Sequence, residues 1–514
     1  MRISTSQYFE TSAASYQKNF ADTVKTTQQI SSGDRIQTAA DDPIGAAKLL
    51  MLQQQSELLS QYSGNMTTAT NALNQEEGVL SSIFDAMQRA SELAIQAGSG
   101  AMSEPDRVSI AAEIGEIEKS VFGMLNSKDA NGGYLFAGSK SSTQPYVRNG
   151  DGTYSYQGDQ TQLSVQVSDT LRMATSDTGY SIFDSATNNG RTQALRTAPA
   201  DDESRVTVSD GLLNSTSRYT QSFKEGQPYT LTFSSATEYS IVGKDGIVTS
   251  GTFDRNEENS LTISFRGVDF ELGVNLQPDD TDVDAVFAKH AFVLEAKPDS
   301  INTTRSSGNS TAQVTGTDIS DPGAYLSTFP GGGAVIKFTS DSEFQVYAQP
   351  YSDSSMPIEK GTLSGKTITA AGVTFTFDPA PAANDQFSVQ ANTHNTQNVL
   401  DTLSQLRQAL VLPDTDANSA SKLSNAVASA ISNLSSARDR VDLVRGEIGA
   451  RNNALEIQKQ ENLSLDLANK GTQAAIGDTD IATASVTLTL QQTMLQASQL
   501  AFSRISQLSL FNKL

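Results

Sequence analysis

Chemistry in a protein needs a nucleophile, a base or a metal ligand, and this 514-residue chain is poor in all three. It has no Cys, which excludes thiol nucleophiles, thiolate zinc sites and a disulfide framework. Its two His, His290 and His394, stand too far apart in sequence to form an HExxH motif, and neither sits near a G-x-S-x-G elbow. Carboxylates are paired at Asp41 and Asp42 and gather at Asp279, Asp280, Asp282 and Asp284. The second group lacks the Gly and the distant bidentate Glu of a calcium loop, so it reads as an acidic turn. Asp42 before Pro43 reads as a helix N-cap with Pro at the first helical position, which outweighs a metal-site reading. No enzyme is expected from these residues, and no cofactor or metal.

Charge narrows the partners. Lys and Arg total 36 against 58 Asp and Glu, a net charge of −22. Phosphate-bearing ligands demand clustered basic residues, so neither nucleic acid nor a membrane surface is an expected partner. Residues 184–395 hold 27 acidic and 14 basic side chains, so more than half of the net charge lies in the middle of the chain. No apolar stretch approaches the ~18 residues needed to span a bilayer. The start, Met1-Arg2-Ile3-Ser4-Thr5-Ser6-Gln7, lacks the apolar core of a cleaved signal peptide.

The elements that would position any site are long helices at both ends. Phe9, Ala13, Tyr16, Phe20, Thr23, Thr27 and Ile30 alternate four and three, the seam of a coiled coil. A second seam runs through Leu52, Leu59, Tyr62, Met66, Ala69, Leu73, Leu80, Ile83, Met87, Ala90 and Ala94, interrupted by Gln55 and Glu76. Ser103-Glu104-Pro105-Asp106 starts a third helix. Near the other end, Val399 to Leu410 forms a short seam. Leu423, Val427, Ala430, Leu434, Ala437, Val441, Val444, Ile448 and Leu455 form a long one that fades toward Leu465. Two such ends can pair antiparallel.

Between Gly132 and about Asn395 the period falls to two. Tyr154 to Asp159 and Leu163 to Val167 read as one hairpin. Three blocks repeat in order: Phe233 to Tyr239 with Phe338 to Phe344, then Ile263, Gly267, Val268 and Phe270 with Ile368, Gly372, Val373 and Phe375. The third sets Pro278, Asp282 and Val286 against Pro381, Asp385 and Val389. Two related β modules are predicted, with Gly331-Gly332-Gly333 as a hinge or turn. The fold class is therefore α+β, long antiparallel helices from both termini around a β-rich middle.

The last helix sorts its apolar residues onto two faces. Leu490, Met494, Ala497, Ala501 and Leu508 share one; Ile481, Leu488, Leu495 and Phe502 share the roughly opposite one. One face suffices for a helix hairpin within a chain, so the second predicts packing against another subunit. Thr- and Gln-rich ends of this kind are marginal alone in water and fold mainly on assembly.

Ser31-Ser32-Gly33-Asp34-Arg35-Ile36 with Asp41-Asp42-Pro43-Ile44-Gly45-Ala46-Ala47, and Gly477 to Thr493, resemble the terminal signatures of bacterial flagellins. The start Met1 to Thr5, the run Gly133-Tyr134-Leu135-Phe136-Ala137-Gly138 and the end Leu508-Ser509-Leu510-Phe511-Asn512 resemble the hook-filament junction members of that flagellin-like family. The resemblance covers roughly residues 1–185 and 395–514. It implies a secreted, extracellular structural protein, exported through the flagellar type III route and assembling as a ring at the hook-filament junction. Implied partners are copies of itself, hook-associated protein 1 on the hook side, flagellin on the filament side and an export chaperone. The implied layout is a terminal assembly domain (1–42 with 476–514), a helical rod domain carrying a β-hairpin (43–183 with 396–475), and β modules over 184–325 and 326–395. Assembly contacts are expected at Phe9, Tyr16, Phe20, Arg35, Asp41, Asp42, Ile481, Leu488, Leu490, Met494, Leu495, Phe502, Leu508 and Phe511. A flagellin proper, or a flagellin-like scaffold with a carbohydrate-binding middle, is the alternative.

Overall fold

The computed structural model describes residues 5–99, 102–200, 205–254, 261–329, 333–352, 354–413 and 417–511. Met1 to Ser4, Gly331, Gly332 and Asn512 lie outside them. The long helices are α1 (Thr5–Ser32), α2 (Pro43–Ala97), α3 (Glu104–Leu125), α4 (Val399–Leu410), α5 (Ala417–Gly477) and α6 (Ile481–Phe511), and strands fill the chain between α3 and α4. This is the α+β class that the change of period predicts. Two compact units divide the chain. One comprises Met1–Thr70, Val165–Met173 and Asn452–Leu514; the other comprises Asn71–Ser164 and Ala174–Arg451.

In the first unit, the N-terminal part of α2 runs antiparallel to the C-terminal part of α5. Asn469 donates to the Leu52 carbonyl, Ser56 to Asp466 and Asn462 to the Leu59 carbonyl, each at 2.8–2.9 Å, so numbering rises on one helix as it falls on the other. Asn462 and Asn469 continue the seven-residue spacing of Val441, Ile448 and Leu455, and both are buried. The seam that fades in hydrophobicity therefore continues in amides. Buried Asn at such positions constrains register, because each amide must stay opposite a carbonyl of the facing helix.

In the second unit, the remaining seam residues of α2, Leu73 through Ala94, and of α5, Val427 through Ile448, are buried. Glu76, an interruption of the α2 seam, is 1% exposed, and its carboxylate accepts the Asp177 backbone N–H at 3.0 Å. Asp177, 2% exposed, receives both guanidinium nitrogens of Arg451 at 2.6 and 3.0 Å and the amide of Gln162 at 2.5 Å. Burial, with the Asp177 charge beside it, holds the Glu76 carboxyl well above the usual carboxylate range. Between the same helices the Phe84 ring lies 5.2 Å from the Arg438 guanidinium and 5.8 Å from that of Arg445.

The two short runs predicted as one hairpin belong to two. Strand β1 (Tyr146–Arg148) pairs with β2 (Tyr154–Tyr156), and β3 (Ser164–Gln166) pairs with β4 (Arg172–Ala174). Each run finds a nearer partner across a tight turn, closed by Asn149 N–H to the Thr153 carbonyl in one and Val167 N–H to the Leu171 carbonyl in the other.

Module 1 comprises β5 (Thr192–Ala198), β6 (Val206–Val208), β7 (Leu212–Leu213), β8 (Tyr229–Phe233), β9 (Glu238–Val242), β10 (Val248–Thr252), β11 (Thr262–Phe265), β12 (Val268–Val274) and β13 (Ala291–Ala296). Module 2 comprises β14 (Ser300–Ser307), β15 (Gln313–Ile319), β16 (Ala334–Phe338), β17 (Glu343–Ala348), β18 (Glu359–Thr362), β19 (Thr367–Ala370), β20 (Val373–Asp378) and β21 (Gln386–Asn392). The larger sheets run β10-β9-β8-β13-β5 and β18-β17-β16-β21-β14; the smaller run β11-β12-β6, with β7 also on β12, and β19-β20-β15. The two topologies are the same.

The repeat is real in two of its three blocks. Phe233 pairs with Tyr239 across one hairpin and Phe338 with Phe344 across the other. Ile263 pairs with Phe270, and Ile368 with Phe375, around turns whose central residues, Arg266-Gly267 and Ala371-Gly372, all have positive φ. Such turns match the twist of a hairpin and favour Gly. A Cβ on Gly267 would meet the Ser215 carbonyl oxygen at 2.7 Å, and one on Gly372 the Asp321 carbonyl oxygen at 2.3 Å. Ser215 and Asp321 each cap the short helix of their module.

The third block is corrected by the structure. Val286 lies in a helix, Val283–Ala288, that module 1 inserts before its last strand, whereas Val389 lies in β21. The true counterparts are Phe292, paired with Leu231, and Phe387, paired with Ile336. The acidic run builds this insertion. Asp280 pairs with Arg205 at 2.7 Å, Asp282 caps the helix at Ala285, and Asp284 accepts from the Ala236 N–H. The sheets also part between Ala296 and Ser300. Residues 300–319 pair within module 2, so the division predicted at 325/326 falls earlier.

Candidate assembly interface

Helices α1 and α6 pair antiparallel within the first unit. The Phe502 ring lies 5.2 Å from Phe9 and 6.2 Å from Tyr16, and Gln499 donates to the Tyr16 hydroxyl at 3.4 Å. Ala484, Leu488, Gln491, Leu495, Ser498 and Phe502 are half-buried at alternating four-three spacing, so one predicted face of α6 is the intrachain seam. The other face stays open: Leu490 is 56% exposed and Met494 50%, with Val486 and Leu500 beside them. Ile481, assigned by phase to the inner face, is exposed at the first turn. The side chains of Leu508 and Phe511 lie outside the described residues.

Along α1 the predicted seam is corrected after Tyr16. The inner line passes through Asn19 and Thr23 to buried Thr26, which leaves Phe20 53% exposed and Thr27 outside. The seven-residue step is kept through Tyr16, Thr23 and Ile30, and the second line of the seam runs through Asn19 and Thr26 in place of Phe20 and Thr27. Phe20 and neighbouring Val24 therefore join the outer apolar surface.

Hydroxyls on both helices turn back on their own backbones. Thr23 and Thr27 of α1, and Ser485, Thr487, Thr489 and Thr493 of α6, donate to the carbonyl four residues earlier at 2.7–2.9 Å. A hydroxyl satisfied in this way leaves the threonine methyl free to face an apolar neighbour without burying an unpaired donor.

The signature segment between α1 and α2 closes a clasp on the link between α5 and α6. Gly33, at φ +80°, ends α1 with its N–H on the Gln29 carbonyl. Thr479 N–H then donates to the Gly33 carbonyl at 2.7 Å and Arg35 N–H to the Gly477 carbonyl at 2.6 Å. The Arg35 guanidinium grips the Ile476 carbonyl at 2.6 and 3.1 Å and lies 3.5 Å from Asp42. Asp42 accepts the Gly45 N–H at 2.9 Å and so caps α2. A Cβ on Gly45 would sit 2.5 Å from the Asp42 carboxylate and 2.6 Å from Ile36. Asp41 pairs with Lys25 at 2.5 Å and accepts the Thr38 N–H. The Lys25 ammonium and that N–H hold the Asp41 carboxyl at about 2. Arg35, Asp41 and Asp42 thus have intrachain partners that fix where α1 ends and α6 begins.

Other exposed apolar residues were missed in the sequence. Ile44, Met51 and Leu58 of α2 repeat every seven residues on the outside of the helix, Ile44 being 73% exposed. Their spacing was available, but the stronger seam on the inner side of α2 masks it.

The chain's relatives bear on this surface. Residues 3–141 match the family model described as the bacterial flagellin N-terminal helical region. That N-terminal helical region is flagellin-like. Flagellar hook-associated protein 3 of Salmonella typhimurium is 35% identical over 189 residues, 37% of this chain and 59% of that protein. The chain thus spans about three fifths of the length of that relative. Flagellin FlaB1 of Treponema pallidum is 36% identical over 120 residues, 23% of this chain and 42% of that one. Among solved structures, flagellar hook-associated protein 3 from Legionella pneumophila is 21% identical, with 83% of this chain and 99% of that one covered and a TM-score of 0.46. The matched region contains α1, the Arg35 side of the clasp, all of α2 and α3, and the Gly133 to Gly138 run. Among the described residues no helix is long and apolar enough to cross a membrane.

Proposed function

We propose that the chain is a structural junction protein of the bacterial flagellum, joining the hook side to the flagellin filament and assembling as a ring through its terminal helices. The observation that carries this reading is the 35% identity over 189 residues to hook-associated protein 3. The open face of α6, with Leu490 and Met494, supports it physically, since burying each such side chain stabilises an assembly by roughly 1.5–3 kcal/mol. In this reading Phe20, Ile481, Leu490 and Met494 meet neighbouring copies, and the Arg35 clasp sets the angle at which they do so. Residues 1–42 with 476–514 are the assembly domain. Hook-associated protein 1 lies on the hook side, flagellin on the other, and an export chaperone holds the chain before secretion to the extracellular flagellum. The role is mechanical, not enzymatic.

Imaging of tagged protein on intact flagella tests it: one narrow band at the hook-filament boundary is expected. Label along the whole filament would make the chain a flagellin. A deletion strain should keep its hooks and release flagellin as monomer, and normal filaments in that strain would overturn the junction role.

A further inference from the structure

We propose that a cleft between the β1–β2 hairpin and strand β14 of module 2 binds an acidic sugar, its carboxylate or sulfate held by Arg148 and Arg305. The inference is independent of the junction role. The cleft encloses about 330 Å³, and its lining combines Arg148 and Arg305 with Asn149, Ser306, Ser307 and Gln313. None of its lining residues is acidic, although residues 184–395 carry 27 acidic side chains against 14 basic ones.

Both walls are built. The hairpin is locked in register by Val147 opposite Ser155 and Arg148 opposite Tyr154. Its turn is seated on module 2, where a Cβ on Gly150 would lie 2.5 Å from that of Gln313 and 3.0 Å from the Val314 carbonyl oxygen. On the facing wall Asp385 is fully buried and accepts the N–H groups of Ser310 at 3.0 Å and Ala382 at 2.9 Å. Arg305 lies 3.5 Å from Asp385, also donates to the Ser310 carbonyl, and keeps 23% of its side chain exposed. Asp385 thus positions Arg305. Arg148 is exposed, and among the described residues it makes no ion pair.

The chemistry selects the occupant. The exposed Arg148 guanidinium can meet a planar or tetrahedral oxyanion through paired, charge-assisted N–H donors, a stronger contact than a neutral hydroxyl offers. The hydroxyls and amides around it offer both donors and acceptors, which suits a polyhydroxyl ring better than an aliphatic acid. The volume is at the small end for ligand pockets, roughly one ring. Fields beyond a Debye length of ~8–10 Å are screened at physiological salt, so a single oxyanion senses the two arginines while a long polyanion also meets the acidic modules. The ligand class is therefore a singly charged uronate or sulfated sugar residue.

The full-length chain can be titrated with glucuronate, glucose 6-sulfate, glucose, inorganic sulfate and a glutamate-rich peptide, followed by ligand-observed NMR and calorimetry. Saturable binding of at least one acidic sugar, tenfold or more tighter than glucose and sulfate, is expected, and the tighter of the two sugars identifies the source of the oxyanion. Arg148→Gln should weaken it at least tenfold, about 1.4 kcal/mol, with an unchanged circular dichroism spectrum. Arg305→Lys, which keeps a cation beside Asp385, should weaken it while preserving the fold. Absence of saturable binding by both sugars overturns the proposal, as does equal binding of glucose. So does an Arg148→Gln protein that binds like the parent, sulfate that binds as well as the sugars, or tighter binding of the peptide.

Discussion

Replacing Arg451 with Met should unlock the helix pair from within. Arg451 and Glu76 each occupy a seam position of their helix, Arg451 seven residues after Val444 and Glu76 seven before Ile83. Removal of the guanidinium deletes two hydrogen bonds to Asp177, at 2.6 and 3.0 Å, and leaves two carboxylates in the interior with only Gln162 and backbone N–H donors. Stripping one partner from a buried pair costs about 3–5 kcal/mol, far more than the pair itself contributes, because the desolvated charge stays behind. The sign with pH follows from Glu76. Its folded pKa is raised, so its contribution is fully present below the unfolded value near 4.5 and is lost as pH rises through the folded one. The damage in Arg451→Met should therefore be greatest at neutral pH and shrink toward pH 4.5. Glu76→Gln, which keeps an acceptor for the Asp177 N–H, should flatten this dependence and recover part of the loss. Native-state hydrogen exchange of amides near Ile83 and Val444 reads the local opening energy without requiring all parts of the chain to unfold together. A cost below about 1 kcal/mol at pH 7, or one that grows on acidification, would refute the reasoning.

Three further outcomes are expected. Gly45→Ala should push its Cβ into the Asp42 carboxylate, disturb the cap of α2 at a cost of about 0.5–2 kcal/mol, and speed exchange of the first-turn amides; unchanged exchange would refute the clasp geometry. Leu490→Ser with Met494→Ser should abolish assembly in sedimentation while leaving the monomer's circular dichroism intact, because both side chains lie off the intrachain seam. Deleting residues 300–392 should leave module 1 folded, since the buried clusters around Phe270 and Phe375 share no residue; loss of amide protection in β8 and β13 would show that the cores are coupled.

The helices and the doubled module were legible because their signals are periodic. The Phe233 and Gly267 blocks survive duplication since each is a hairpin whose turn tolerates few residues, and Gly267 has no room for a side chain. The Asp282 block misled for the opposite reason. An inserted helix cap and a buried turn carboxylate, Asp385, resemble each other in type while doing different work. In the clasp, the Asp42 cap was readable from Pro43, but the grip of Arg35 on the Ile476 carbonyl joins residues 441 positions apart and leaves no local trace.

The long seam of α5 shows a subtler failure, of chemistry and not of spacing. Val427, Leu434, Val441, Ile448 and Leu455 fall seven apart, and the same step reaches Asn462, Asn469 and Ile476. A filter for apolar residues stops at Leu455, although both amides are buried and bonded to the opposing helix at Leu59 and Leu52. The polar positions lie in the unit that also contains the open apolar surface of α6. A wholly apolar seam tolerates sliding and rotation at little cost, whereas each buried Asn must keep a carbonyl of the opposing helix within reach. Polarity in the seam thus holds the register of helices whose outer faces are left apolar for neighbours, and a search by period alone would have followed it to Ile476.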